Sequence, residues 1–327
     1  MLNNYSDEQL RLAARLYHLD GLGQAEVARF VNVSQTKVSR LLSLARERGI
    51  VQISVAEYQP RNLTLEKQIS RAFGLKTVAV IKTAENLSGE NQRRAVAHFG
   101  SSIVASLIPA EGTLAIAGGR TLREIVEHMP EDKSRRLTVI QAMGSVDSNV
   151  GPVDASELGR SAAQRFGGTF LTLNTPAFVP NKTMRDSLLA LEQIRFVWES
   201  LREVDVALIG IGTLKNSVFV DRGVFTAADL RKLEAAGAVG EICGRFFDKN
   251  GKECDSPWRD RVISIGLDQL RKTPQVIGLV AGNDRSAAIA AAIRGGLLKT
   301  LIIDESGATA LLAETSTSTQ SKSKKQK

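Results

Sequence analysis

Gln24-Ala25-Glu26-Val27-Ala28-Arg29-Phe30-Val31-Asn32-Val33-Ser34-Gln35-Thr36-Lys37-Val38-Ser39-Arg40-Leu41-Leu42 reads as two short helices joined by a turn. The first, over 24–31, has Ala25, Val27, Ala28 and Val31 to bury; the second carries Val38, Leu41, Leu42 and Ala45 at helical spacing. Ala28 is small enough for the two helices to pack closely. Asn32 stands where the turn wants a positive φ, which Asn tolerates. Ser34 is placed to cap the second helix. That cap leaves Gln35, Thr36, Lys37, Ser39 and Arg40 near the exposed amino-terminal half, residue types suited to base edges and phosphates in a major groove. Arg46 and Arg48 extend the basic face, and residues 34–49 carry a net charge of +3.

Upstream, Ser6 and Gln9 have capping-box spacing, with Asp7 and Glu8 in the first turn where the helix dipole favours acids. Leu10, Ala13, Ala14, Leu16 and Tyr17 then form an apolar stripe. Downstream, Gly49 is placed to stop the third helix, and 50–55 alternates like a short strand. A winged helix-turn-helix domain is therefore expected over 1–56. Any three-helix unit has small residues at its contacts, and basic residues on a helix usually form a solvated face. It is the conjunction of Ala28, Asn32, the Ser34 cap, Val38 and the polar-basic face (Ser34, Gln35, Thr36, Lys37, Ser39, Arg40 and Arg46) that points to double-stranded DNA as partner.

Pro60 biases Gln59 away from helix, so 57–62 reads as a linker. Strand-like and helix-like segments alternate from there on. Strands are expected over 77–81, 113–117, 137–141, 169–173, 204–209, 262–265, 276–280 and 300–303. Helices are expected over 91–107, 122–129, 155–166, 188–201, 227–236 and 286–294. Short apolar strands between amphipathic helices predict an α/β fold, a mostly parallel sheet covered on both faces, spanning 63–313. Ligands in such folds sit beyond the carboxyl ends of the strands.

The 327 residues, 43% of them hydrophobic, supply ample material for such a core and exclude a disordered or fibrous chain. The chain has 43 Lys and Arg against 35 Asp and Glu, a net charge of +8. Half of that excess comes from Lys322, Lys324, Lys325 and Lys327, in a Ser/Thr/Lys-rich stretch over 314–327 expected to be a solvated, disordered tail; weak nonspecific affinity for DNA is the other reading. No stretch approaches the roughly 20 apolar residues of a membrane span. Met1-Leu2-Asn3-Asn4-Tyr5 lacks the basic region and apolar run of a secretory signal, so a cytoplasmic location without membrane contact is expected. Cys243 and Cys254 are the two cysteines, too few for a disulfide framework or a cysteine zinc site.

Three strand ends carry the candidate chemistry. Gly118-Gly119-Arg120-Thr121 opens a helix whose free amides suit an anion; a plain tight turn accounts for the glycines equally well. Ala281-Gly282-Asn283-Asp284-Arg285-Ser286 opens another, with Arg285 able to grip a phosphate bidentately. Gly210-Ile211-Gly212-Thr213 is a glycine-rich turn after a buried strand. Glu241 and Asp248, near Gly240 and Gly244, are placed to orient polyol hydroxyls, or are ordinary surface acids. Gly118, Gly119, Arg120, Thr121, Gly144, Glu241, Asp248, Asn283 and Arg285 make up the candidate effector set. His18, His98 and His128 all fall in expected helices, and no motif nucleophile or metal cluster accompanies them, so neither catalysis nor a cofactor is expected.

Five blocks, in this order, carry a family resemblance: Asp20-Gly21-Leu22-Gly23-Gln24-Ala25-Glu26-Val27-Ala28; Val38-Ser39-Arg40-Leu41-Leu42; Asp205-Val206-Ala207-Leu208-Ile209-Gly210-Ile211-Gly212; Gly240-Glu241-Ile242-Cys243-Gly244-Arg245-Phe246-Phe247-Asp248; and Val280-Ala281-Gly282 with Ala288-Ile289-Ala290-Ala291-Ala292-Ile293-Arg294-Gly295-Gly296. From about Ser6 to Leu312 the chain resembles bacterial transcriptional regulators of the SorC type, also called the SorC/DeoR sugar-binding family. The resemblance implies a Rossmann-like effector domain similar to the glucosamine-6-phosphate deaminase and ribose-phosphate isomerase fold. It also implies a sugar or sugar-phosphate effector and a homotetramer arranged as a pair of dimers. By position, Gly119, Arg120 and Thr121 match the family's phosphate loop, and Arg285 matches a lysine on the same phosphate, a change that keeps charge but alters reach. Glu241 and Asp248 match carboxylates on the sugar, and Pro176-Ala177-Phe178 an apolar wall. The loop departs from the paired threonines of some members. An isomerase or deaminase enzyme fused to a DNA-binding module is the alternative implied by the same fold.

Overall fold

The computed structural model describes residues 5–148 and 150–323. Met1 to Asn4 of the amino terminus, and Lys324, Lys325 and Lys327 of the tail, lie outside the described residues. The chain divides into two compact units, Met1–Tyr58 and Gln59–Lys327.

The first unit is three helices: α1 (Asp7–His18), α2 (Gln24–Phe30) and α3 (Gln35–Glu47). Each start is fixed by a local cap. The Ser6 hydroxyl accepts from the Gln9 amide at 3.3 Å, while the Gln9 side chain accepts from the Ser6 amide at 3.1 Å. Ser34 Oγ accepts from the Lys37 amide at 3.3 Å. Asn32 has a φ of 50°, the turn conformation expected of it. Leu10, Ala13, Val27, Val38 and Ala45 are fully buried where the helices meet. A wing strand does not form. Ile53 and Val55 are exposed, and among the described residues the segment after α3 has no partner strand to complete its hydrogen bonds.

The second unit contains, in order, α4 (Leu63–Phe73), β1 (Thr77–Ile81), α5 (Gly89–Leu107), β2 (Glu111–Ile116), α6 (Arg120–His128), β3 (Arg136–Gln141), α7 (Ala155–Phe166) and β4 (Thr169–Leu171). Next come α8 (Lys182–Ala190), α9 (Glu192–Ser200), β5 (Val206–Ile209), α10 (Val218–Asp221), α11 (Ala227–Ala235), β6 (Gly240–Ile242) and β7 (Arg245–Phe247). The chain closes with α12 (Leu267–Lys272), β8 (Gln275–Leu279), α13 (Ser286–Arg294), β9 (Thr300–Asp304) and α14 (Glu305–Ser323). Seven strands form one parallel sheet in the order β1-β9-β8-β5-β2-β3-β4. Helices α5, α6 and α7 pack in succession as one layer, and α4, α14 and α13 as another. The central strands are buried, as near-continuous runs of Val, Ile, Leu and Ala require when both faces are covered. Among the described residues no helix is long and apolar enough to cross a membrane.

Four expectations are corrected here. Residues 262–265 make only isolated bridges, Val262 to Phe178 and Ser264 to Met143. These partners lie on separate segments, and the Ser264 and Ile265 carbonyls are occupied by the Arg245 guanidinium, so no continuous ladder can grow. The helix expected over 188–201 breaks at Leu191, whose extended backbone (ψ 129°) lets α9 turn and bury Ile194 and Val197. A two-stranded antiparallel sheet, β6-β7, appears where none was expected. Its turn, Cys243-Gly244, has φ of 52° and 78°, the paired positive values of a tight hairpin turn, filled here by Cys where Asn is usual. Finally, α14 continues to Ser323, through most of the stretch read as disordered. After Gly307 that stretch contains neither Gly nor Pro, so a helix nucleated on the buried Ala308 and Leu311 meets no breaker.

Candidate functional site

On α3, Val38, Leu41, Leu42 and Ala45 face the core, which turns the opposite side of the helix outward. Ser34, Gln35, Thr36, Lys37, Ser39, Arg40 and Arg46 are all exposed there. Among the described residues Arg40 has no carboxylate within 4.0 Å, and Arg46 donates to Ser43 Oγ at 3.4 Å. Arg48 does not belong to this surface. Its guanidinium binds the Asp7 carboxylate at 2.8 Å and the Tyr5 carbonyl at 3.1 Å, fastening the start of α1 to the end of α3.

In the large unit the sheet order reverses between β2 and β5: β3 and β4 continue outward from β2, and β8 and β9 from β5. At such a switch point the loops at the strand ends diverge and leave a crevice. A cleft of about 850 Å³, including its open mouth, lies there. Residues 117–122 line it from the end of β2, Met143, Gly144 and Val146 from β3, Gly210, Ile211 and Gly212 from β5, and Leu279, Val280, Ala281 and Arg285 from β8. Seven of the expected effector residues are thus brought together: Gly118, Gly119, Arg120, Thr121, Gly144, Glu241 and Arg285. Two are not. Asp248 caps its own turn, accepting from the Asn250 and Lys252 amides at 2.9 Å each. Asn283 is exposed and lines a separate cavity with Gln92 and Glu305. The segment 176–178 backs the cleft without forming its wall: Phe178 packs edge-on against Phe219, which does line it, with ring centroids 4.9 Å apart.

The amino terminus of α6 leaves its first amides open to the cleft. Gly119 contributes no side-chain cap, and its own amide is spent on the Val153 carbonyl at 2.8 Å. Among the described residues no acceptor meets the amides of Arg120, Thr121 and Leu122. Arg120 pairs with Asp221 at 3.2 Å, and Arg285 with the neighbouring Asp284. Arg93, from the second turn of α5, also lines the cleft. Burial holds both Arg93 and Arg285 below the ordinary arginine pKa; for Arg93 the charges of Arg120 and Arg285 add to it, while for Arg285 the neighbouring Asp284 opposes it and Arg120 adds to it. Residues 216–222 cross the cleft and are tied down at Asn216 to Asp284, Asp221 to Arg120, and Arg222 to Asp154 at 3.5 Å.

Glu241, on β6, is buried in the cleft wall where β6 meets the loop after β5. Its two backbone bonds to Gly212 (3.0 and 2.9 Å) join these elements. One carboxyl oxygen accepts from the Gly244 amide and the other from Ser217 Oγ at 3.0 Å. Burial nevertheless pushes its pKa above the ordinary carboxylate value, the two donors opposing that shift. A folded-state value above the unfolded one means stability is fully present below the unfolded value and declines as pH rises through the folded one. Glu241→Gln keeps the shape without the charge. Urea titrations from pH 4 to 8 should therefore show the variant gaining on the wild type as pH rises; parallel profiles would mean that the group titrates alike in both states.

Arg93, Asn216, Ser217 and Phe219 are cleft residues the sequence reading missed. Arg93 and Arg94 are adjacent on α5, and Glu90 pairs with Arg94 at 2.6 Å, which leaves Arg93 facing the cleft. Nothing in a one-dimensional pattern says which of the two arginines turns inward.

A helix-turn-helix with an unneutralised polar-basic outer face, joined to an α/β unit with a cation-lined cleft at its sheet switch point, defines a DNA-binding regulator with a ligand-sensing domain. The profile of the Sugar-bind family, described as "Putative sugar-binding domain", matches residues 59–313, and the chain belongs to this family of SorC-type transcriptional regulators. It is 29% identical over 305 residues to the sorbitol operon regulator of Klebsiella pneumoniae, covering 91% of this chain and 96% of that one. The deoxyribonucleoside regulator of Bacillus subtilis is 26% identical over 301 residues, 92% and 96% of the two chains. The crystal structure of the full-length Klebsiella sorbitol operon regulator superposes with a TM-score of 0.76 at 28% identity, covering 94% of this chain and all of that one.

Proposed function

We propose that this regulator holds a phosphorylated sugar or polyol in the cleft and that occupancy changes its affinity for operator DNA. The observation that carries the reading is the gathering of Arg93, Arg120, Arg285 and the uncapped start of α6 in one crevice, a poor arrangement for an empty site and a good one for a phosphoryl group. Asn216, Asp154 and Glu241 supply polar partners for hydroxyls. Relatives named for sorbitol and for deoxyribonucleosides support a polyol or pentose derivative. The α3 surface enters the major groove, and a homotetramer, a pair of dimers in the cytoplasm, sets the half-site spacing. The effector works only through its differential affinity for the two protein arrangements.

The test pairs two measurements on the full chain: thermal shifts against phosphorylated and free sugars, and operator binding with and without any compound that shifts. A ligand at about 100 times its dissociation constant adds about 2.7 kcal/mol. A stabilising compound that leaves operator affinity unchanged would reduce the cleft to a bystander, and turnover of a sugar phosphate would replace the regulator reading with an enzymatic one.

A further inference from the structure

Three guanidinium groups line the cleft, and they are not equivalent. Arg120 has Asp221 at 3.2 Å and Arg285 has Asp284. Arg93 has no carboxylate within 4.0 Å and no hydrogen-bond acceptor among the described residues, although it is half-buried. Glu124 and Glu90 act on it from farther off, but burial and the charges of Arg120 and Arg285 outweigh them. All three line the same cleft, the charges of Arg120 and Arg285 act on Arg93, and that of Arg120 acts on Arg285, so they face one region, not two ends of a long site. The charge left over there is one guanidinium plus the partial positive charge of the α6 start, roughly half an elementary charge. A phosphate monoester, at about −1.5 to −2 near neutral pH, matches that sum; a neutral sugar does not.

Resting on the effector reading above, we propose that Arg93 is the residue that selects a phosphorylated effector, its guanidinium and the amides of Arg120, Thr121 and Leu122 together holding one phosphoryl group. Arg120 and Arg285, already paired, tune the seat by exchanging Asp221 and Asp284 for the ligand. The competing role for Arg93 is structural, as a distant partner for the buried Glu124, and the two roles have opposite signatures. A guanidinium kept for a ligand is a burden on the empty protein; one kept for Glu124 is a support.

The experiment compares full-length wild type, R93Q and D221N by thermal shift and calorimetry, with inorganic phosphate, sodium chloride at matched ionic strength, and paired free and phosphorylated sugars as probes. Wild type should be stabilised by phosphate beyond chloride. R93Q should lose that increment, and its affinity for a phosphorylated sugar should fall on the order of 10- to 100-fold, the scale of one charge-assisted contact. Its melting temperature without ligand should equal or exceed that of the wild type. D221N, which removes a competing carboxylate from Arg120, should bind phosphate more tightly. A phosphate increment that survives in R93Q overturns the proposal. So does a lower melting temperature restored by adding Glu124→Gln, which assigns Arg93 to Glu124. A wild type that binds free and phosphorylated sugars equally overturns the role of Arg93 but keeps the cleft as the effector site; one that binds neither, and does not respond to phosphate, overturns both.

Discussion

Arg40→Ala is expected to abolish operator recognition while leaving the melting temperature and the effector response unchanged. Arg40 lies on the outer side of α3, two residues beyond the fully buried Val38, with no acidic partner among the described residues. A guanidinium that reaches a base edge bidentately contributes about 1–3 kcal/mol for each half-site, and this is the contact expected of Arg40. Two half-sites in the proposed assembly double this to about 2–6 kcal/mol, roughly 30-fold to more than 10⁴-fold in affinity. The helix itself loses nothing, because alanine is the best helix former and Arg40 is not packed. Lys37→Ala should behave differently, weakening all sequences alike and lowering the salt dependence by about one unit, as a phosphate contact does. Fluorescence anisotropy with an operator fragment over a salt series separates the two, and full operator affinity in Arg40→Ala would remove α3 from the groove.

The parts of this molecule legible in the sequence are those whose determinants are local. Capping at Ser6 and Ser34, the turn at Asn32 and the apolar spacing of α3 depend on neighbours within a few residues, and the structure forms them as read. Buried parallel strands such as β1 announce themselves by unbroken apolar runs, here Val78-Ala79-Val80-Ile81. What failed was decided at a distance. Residues 262–265 have the composition of a strand, but a strand needs one continuous partner and they meet two. The hairpin at Cys243-Gly244 lacks the usual Asn-Gly signal, because part of its support comes from the Glu241 side chain accepting from the Gly244 amide. Asp248 stands in a glycine-rich block beside Glu241, yet the hairpin carries the two apart and Asp248 spends its carboxyl on its own turn. Arg93 was invisible for the complementary reason: its role comes from what α5 faces, and helical periodicity describes only the helix.

Gly118→Ala should uncouple the effector from the DNA-binding surface more completely than removing any single cleft side chain. A methyl group at this position would stand 2.8 Å from the Val153 carbonyl oxygen, 3.1 Å from the Ala155 nitrogen and 3.6 Å from the Asp154 carbonyl carbon. All three are backbone atoms at the start of α7, so no side chain can swing aside. The strand-end loop must instead move away from Val153, which breaks the 2.8 Å bond from the Gly119 amide and displaces the first turn of α6, where the three free amides lie. Overpacking of this kind costs about 1–3 kcal/mol, and the lost hydrogen bond about 1 more. A domain with the usual 5–15 kcal/mol in hand stays folded. Binding is less forgiving, since a displacement of about 1 Å in a preorganised site costs on the order of 100-fold. Gly119→Ala is the informative comparison. Its added carbon would meet only Leu122 Cδ1, at 3.5 Å, but the φ of 142° and ψ of 158° belong to glycine, so strain without a clash should give a smaller loss. Calorimetric titration should rank effector affinity as wild type, then Gly119→Ala, then Gly118→Ala. The last protein should bind operator like the empty wild type and stay indifferent to effector at concentrations that switch it. Wild-type effector affinity in Gly118→Ala would place the phosphoryl group away from α6.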